Sequence, residues 1–240
     1  MEIARTLLPD ALLLPAACGL PREKPMPTPT GFLDRSLAWE GRERRHVLYV
    51  PPGYDPGRPW PLVVFLHGLG ERGDDGLLPT EVGLGPAIRR HRSRFPCLVL
   101  FPQCPADRRW TEALGVAEAA LEETLADYPV DRKRIALTGI SMGGFGAWAW
   151  AARRPDLFAR LMPLCGGAEP AWAPRLAGLP TWAFHGARDP VIPPERSREM
   201  AAALEKAGGT VRCTEFPAAT HNCWDQAYGM PETAAWLLAK

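Results

Sequence analysis

Lysine is nearly absent from this chain of 240 residues, with four against 24 arginines, and serine is equally scarce, with four. Charge of one sign is lacking too: 28 basic and 27 acidic residues leave a net +1, a balance that gives no argument for a nucleic-acid or anionic-membrane partner. The local cluster Arg89, Arg90, His91, Arg92 and Arg94 reads as a solvated helix end rather than a phosphate site. No apolar run reaches the roughly 20 residues of a transmembrane helix. Six cysteines show neither a CxxC pair nor a histidine at ligand spacing, so no metal site is expected. Disulfides stay open, since spacing alone does not give their pairing. No internal repeat or second domain is visible. What is abundant is alanine, arginine and proline, a compositional bias of the source, around an ordinary 46% of apolar residues.

The first thirty residues stand apart. Ala11 to Cys18 is a short apolar stretch ending in small residues and a cysteine, as in a lipoprotein signal, and that reading implies an extracytoplasmic protein. Only Arg5 supplies positive charge, Pro9-Asp10 interrupts the run, and Pro15 replaces an aliphatic residue. The alternative is an N-terminal arm of a cytoplasmic protein, and both readings stand. Pro21 to Thr30, with four prolines, reads as a linker. The expected division is therefore 1–30 leader or linker and 31–240 a single catalytic domain.

From Phe32 onward short apolar runs alternate with helical periodicity. Strands are expected over His46–Val50, Pro61–Leu66, Cys97–Phe101, Arg134–Thr138, Arg160–Leu164, Pro180–Phe184 and Val211–Phe216. Helices are expected over Thr111–Tyr128, Met142–Arg153, Pro194–Ala207 and Glu232–Lys240. Continuously apolar strands separated by helices imply an α/β fold, a mostly parallel central sheet with helices on both faces. Ligands bind beyond the carboxyl ends of such strands, so strand-end residues carry the functional reading.

Gly139-Ile140-Ser141-Met142-Gly143 fits GxSxG between a strand and a helix. A serine on that tight turn is exposed, and its flanks must be glycine for backbone segments to pass. The pattern alone has many chance matches; its position gives it meaning. The competing role for Ser141 is a helix N-cap. A serine nucleophile needs a base, usually an imidazole held by a carboxylate. His221, after the last strand, is the one histidine placed for it. His67 and His185 come too early, His46 and His185 read as core or turn histidines, and His91 as exposed. Asp189, a few residues past a strand, is the expected acid; Asp156 belongs to a helix-ending segment, and Glu195 opens a helix. The loop Leu66 to Gly73 supplies the second oxyanion donor, so the backbone N–H groups of Leu69 and Met142 are the expected pair, with Glu71 and Arg72 an ion pair bracing the loop. Trp110 and Trp224 sit beside strand-end loops and are candidates for a substrate wall, core packing being the alternative for each.

With these residues in place, the chain resembles bacterial α/β-hydrolase esterases of the phospholipase/carboxylesterase and feruloyl-esterase-like, or predicted-peptidase, group. The resemblance runs from about Phe32 to the C-terminus and rests on five segments in order: His67 to Asp75, Pro102-Gln103-Cys104-Pro105, the Ser141 turn with Gly143-Gly144, His185 to Asp189, and His221-Asn222-Cys223-Trp224. The loop and turn are also similar to those of acyl-protein thioesterases. Dienelactone hydrolases share the order but resemble cysteine nucleophiles, against which Ser141 speaks. The resemblance implies cofactor-free and metal-free hydrolysis of a small-molecule or carbohydrate-linked ester, of acetyl or feruloyl type, by a protein secreted in many relatives. Acyl-thioesterase or lysophospholipase action is the alternative, then a peptidase, then a binding module with a retained fold. The connection Cys165–Leu179 is too short for a cap domain, so an open site favouring short acyl chains is expected.

Overall fold

The computed structural model describes residues 28–239; the leader reading for Ala11–Cys18 lies outside them. Eight strands form one sheet in the order β1-β2-β4-β3-β5-β6-β7-β8. They are β1 (Gly31–Trp39), β2 (Arg42–Val50), β3 (Trp60–Leu66), β4 (Leu98–Pro102), β5 (Val130–Ile140), β6 (Arg160–Leu164), β7 (Thr181–Gly186) and β8 (Val211–Phe216). β2 pairs antiparallel with β1 and β4; every pairing from β4 to β8 is parallel. The helices are α1 (Leu84–Arg90), α2 (Trp110–Asp127), α3 (Met142–Arg153), α4 (Ala173–Leu176), α5 (Glu195–Lys206), α6 (Trp224–Gly229) and α7 (Pro231–Leu237).

The continuous apolarity of β3 follows from burial on both faces. Leu62, Val64 and Leu66 pack with Trp110, Leu121, Trp148 and Met200 from α2, α3 and α5, while Val63 and Phe65 pack with Ile88, Tyr228 and Leu237 from α1, α6 and α7. The period of two sends alternate side chains to opposite layers, and each fully buried Leu or Val contributes about 1.5–3 kcal/mol. The expected strands and helices are present, with ends shifted by a few residues. Four elements had no expected bounds. β1 is a half-exposed edge strand with Asp34, Arg35 and Ser36 in its middle, and α1, α4 and α6 span only seven, four and six residues, two turns or fewer, which leaves little helical period to register. The basic cluster does end a helix, with Arg89 paired to Glu81. Between β6 and β7 lie only a 3₁₀ turn and the four-residue α4, so nothing there covers the carboxyl ends of the strands.

Candidate active site

Ser141 stands between β5 and α3 with φ 52° and ψ −117°, a positive φ that non-glycine residues rarely adopt. Its neighbours explain why the turn is glycine-flanked. A Cβ on Gly139 would lie 2.3 Å from the Gly143 carbonyl oxygen, and one on Gly143 would lie 1.9 Å from that of Leu66. Ser141 occupies the N-cap position of α3 but makes no side-chain cap hydrogen bond, so the capping alternative does not describe its hydroxyl. That hydroxyl donates instead to His221 Nε2 at 2.9 Å.

His221 follows β8 and donates from Nδ1 to Asp189 Oδ2 at 2.7 Å. The Asp189 loop follows β7, and its Oδ1 accepts the amides of Val191 at 2.8 Å and Ile192 at 3.0 Å. Burial alone would raise the Asp189 pKa; the hydrogen bond from His221 and the two amides outweigh it and hold the carboxyl below its usual range. The Asp189 and His221 loops are stitched together by Ala187 N–H to Phe216 O and Arg188 N–H to Ala219 O, each 3.0 Å. Gly186 permits this approach, since a Cβ there would sit 2.0 Å from the Thr220 carbonyl oxygen. The structure thus brings Ser141, His221 and Asp189 into one hydrogen-bonded chain and leaves Asp156 exposed elsewhere.

The loop after β3 runs alongside. A Cβ on Gly68 would be 3.8 Å from the Ser141 Cβ, and Leu69 is exposed above it. His67, fully buried, pins this loop: its Nδ1 donates to Gly68 O at 2.7 Å and its Nε2 accepts the Cys104 amide at 3.0 Å. Burial pushes its pKa down to about 4, and an Nε2 already facing an N–H donor has no acceptor for a second proton. Gln103 adds a second brace through Glu71 O and Asp75 Oδ2, both at 2.9 Å. The expected Glu71–Arg72 ion pair is not what braces the loop. Arg72 donates to the carbonyls of Leu69 and Arg108, because those acceptors lie within its reach, while the half-buried Glu71 carboxylate takes the Gly68 amide and is shifted up by burial. The bracing by His67 and Gln103 is a role the sequence did not announce: both stand in recurrent motifs, but neither has a spacing that reveals its partner.

Trp110 is fully buried and donates from Nε1 to His67 O at 2.9 Å; it also lines an apolar hollow of about 190 Å³ with Arg109, Thr111, Met142 and Phe145. Trp224 is half-buried and stands edge-on to His221, with centroids 5.3 Å apart at 86°. A second hollow of about 220 Å³ shares Thr111 and Phe145 and extends to Glu169, Trp172 and Arg196. Among the described residues, Cys165, Asp189 and His221 bring ligand-type atoms within 4.8 Å of one another, but Asp189 and His221 engage theirs in the chain to Ser141. No described helix is long and apolar enough to cross a membrane.

The family model described as "Putative esterase" matches residues 38–237. The chain belongs to this esterase family. "Probable feruloyl esterase C" from Aspergillus terreus is 26% identical over 162 residues, covering 66% of this chain. The chain spans 59% of that relative's length. Among solved structures, one titled as a thermostable esterase is 35% identical, with a TM-score of 0.79 over 86% of this chain and 62% of that one. A ferulic acid esterase from Anaeromyces mucronatus in complex with ferulic acid has a TM-score of 0.65 at 16% identity, over 85% of this chain and 89% of that one, a likeness of fold alone. As an esterase-family member the chain has the α/β-hydrolase fold, with an eight-stranded, mostly parallel sheet between two helical layers.

Proposed function

We propose that this chain is a serine carboxylesterase acting on short-chain or feruloyl-type esters, carbohydrate-linked ones included. The carrying observation is the continuous path Ser141 Oγ–His221 Nε2 at 2.9 Å and His221 Nδ1–Asp189 Oδ2 at 2.7 Å. In this reading Ser141 Oγ attacks the ester carbonyl while His221 Nε2 takes its proton, and Asp189 stabilises the resulting imidazolium. The backbone N–H groups of Leu69 and Met142 receive the developing oxyanion. The imidazolium then protonates the leaving alcohol, and a water activated by His221 hydrolyses the acyl-enzyme. The apolar hollow at Met142, Phe145 and Trp110 suits one aromatic ring or a short acyl chain, and Trp224 borders His221 on another side. Action outside the cytoplasm belongs to the same reading, supported by the apolar stretch that ends at Cys18.

The test is kcat/KM for p-nitrophenyl esters from two to sixteen acyl carbons, with methyl ferulate and the matching ferulic anilide. A buried methylene contributes about 0.8 kcal/mol, so a long acyl groove would give a steep rise with chain length. Expected are hydrolysis of methyl ferulate, a maximum between acetyl and butyryl, and no anilide cleavage. A maximum at ten carbons or more would move the assignment to an acyl-thioesterase or lysophospholipase, and anilide cleavage rivalling the ester to a peptidase.

A further inference from the structure

Cys165 follows the last residue of β6, and Cys223 lies two residues after His221. Their Sγ atoms are 2.9 Å apart across 58 residues of chain, and both residues are fully buried. Non-bonded heavy atoms ordinarily stop at roughly 3.5–4.0 Å, whereas bonded sulfurs lie about 2.05 Å apart. The pair therefore stands between contact and bond. Backbone hydrogen bonds hold it there: Cys165 N–H donates to Phe184 O and Cys223 N–H to His221 O, each at 2.9 Å. The Cys165 thiol also faces the His221 carbonyl at 3.1 Å. Cys165 has φ 47°, a left-handed conformation uncommon for any residue with a Cβ.

The surroundings of the two sulfurs give the contact its meaning. Leu164, next to Cys165, accepts the Ser141 amide at 2.9 Å, so one sulfur is anchored beside the residue that fixes the serine turn. The other is anchored beside the histidine. We propose that Cys165 and Cys223 form a disulfide that ties the His221 loop to the end of β6. A thiolate from one cysteine attacks a small-molecule disulfide such as oxidised glutathione, giving a mixed disulfide and releasing one glutathione thiolate. The second cysteine then displaces the other glutathione thiolate, and the two protons lost by the cysteines go to the two departing thiolates. In the folded chain, hydrogen bonding to Cys165 and burial push the Cys223 thiol far up, so the bond forms during folding, before the pair is enclosed. Among the described residues, Cys97, Cys104 and Cys213 make no comparable sulfur–sulfur contact.

Linkage is read by mass, so this inference stands or falls independently of the esterase reading. The full chain is unfolded and refolded in a mixture of oxidised and reduced glutathione, and in parallel under a phosphine reductant. Free thiols are blocked with iodoacetamide, and the protein is digested with trypsin and a glutamyl-specific protease without reduction. Cleavage after Arg160, Arg175, Arg212, Glu215 and Glu232, with the Glu169-Pro170 bond resistant, isolates Cys165 in peptide 161–175 and Cys223 in peptide 216–232. The expected result is one disulfide-linked species joining those peptides in the oxidised sample, with a thermal midpoint about 10 °C above the reduced one. The Cys165→Ala, Cys223→Ala double variant should lose that redox dependence. Both peptides alkylated in the oxidised sample, either one joined to another cysteine, or a redox-dependent midpoint in the double variant overturns the proposal.

Discussion

His185 Nε2 lies 3.2 Å from Asp189 Oδ2, with both side chains wholly out of solvent. The same nitrogen faces the Ile192 carbonyl at 2.9 Å, which only accepts, so Nε2 carries a proton. The far side of the ring meets Ser197 Oγ at 2.7 Å, and that hydroxyl also reaches Gly166 O at 3.3 Å. His185 thereby fixes the Asp189 loop to α5 and to the turn after β6, with the acid held between two imidazoles.

A His185→Ala variant should therefore lose kcat by about 10- to 100-fold with little change in KM, because Asp189 loses orientation rather than the substrate losing contacts. Its thermal midpoint should also fall, since a buried ring and its hydrogen bonds are removed. Steady-state kinetics on p-nitrophenyl acetate separates the two parameters. An unchanged kcat in a folded variant would show that Asp189 needs no support from His185.

Ser141→Ala should abolish ester turnover, with a loss of about 10⁴-fold or more in kcat, and leave the fold intact. Asp189→Asn should bind substrate normally but lose kcat steeply, because an amide can hold His221 in the wrong tautomer. Asp156→Asn, at an exposed position, should match wild type. Burst and steady-state assays with circular dichroism controls decide this. A tenth of wild-type kcat remaining in Ser141→Ala, or exchanged phenotypes for the two aspartates, would overturn the assigned roles.

Stability should fall as pH is lowered from about 6.5 towards 4. Burial lowers both His46 and His67 to about 4, against an unfolded value of about 6.5. In that window the unfolded chain binds protons that the folded chain cannot, so each histidine removes up to about 1.4 kcal/mol per pH unit. Above about 6.5 the contribution is fully present. Urea unfolding midpoints at pH 7 and 4.5 should differ in that sense, and His67→Gln should flatten the dependence while lowering absolute stability. A wild-type midpoint independent of pH would contradict the buried neutral imidazoles.

Much of this architecture is legible without coordinates because its signals are local. β3 reads as a strand since burial on two faces demands unbroken apolarity, and the Ser141 turn reads as functional since only glycine tolerates the approaches made at Gly139 and Gly143. Chain order narrowed the candidate acid to Asp189 and the candidate base to His221. β1 escaped notice because an edge strand half in solvent keeps Asp34, Arg35 and Ser36.

Sequence by itself determined the alternation of strand and helix, the turn that exposes Ser141, and the candidates for its partners, all written in short-range periodicity and steric need. Only the tertiary structure decided that Arg72 braces carbonyls rather than Glu71, that His67 pins the loop beside Ser141, that His185 touches Asp189, and that Cys165 meets Cys223. Those contacts join residues that are one to 58 positions apart and belong to different loops or to one folded loop. No periodicity encodes which carbonyl or sulfur will be nearest, because that distance is set by how the sheet stacks the ends of its strands.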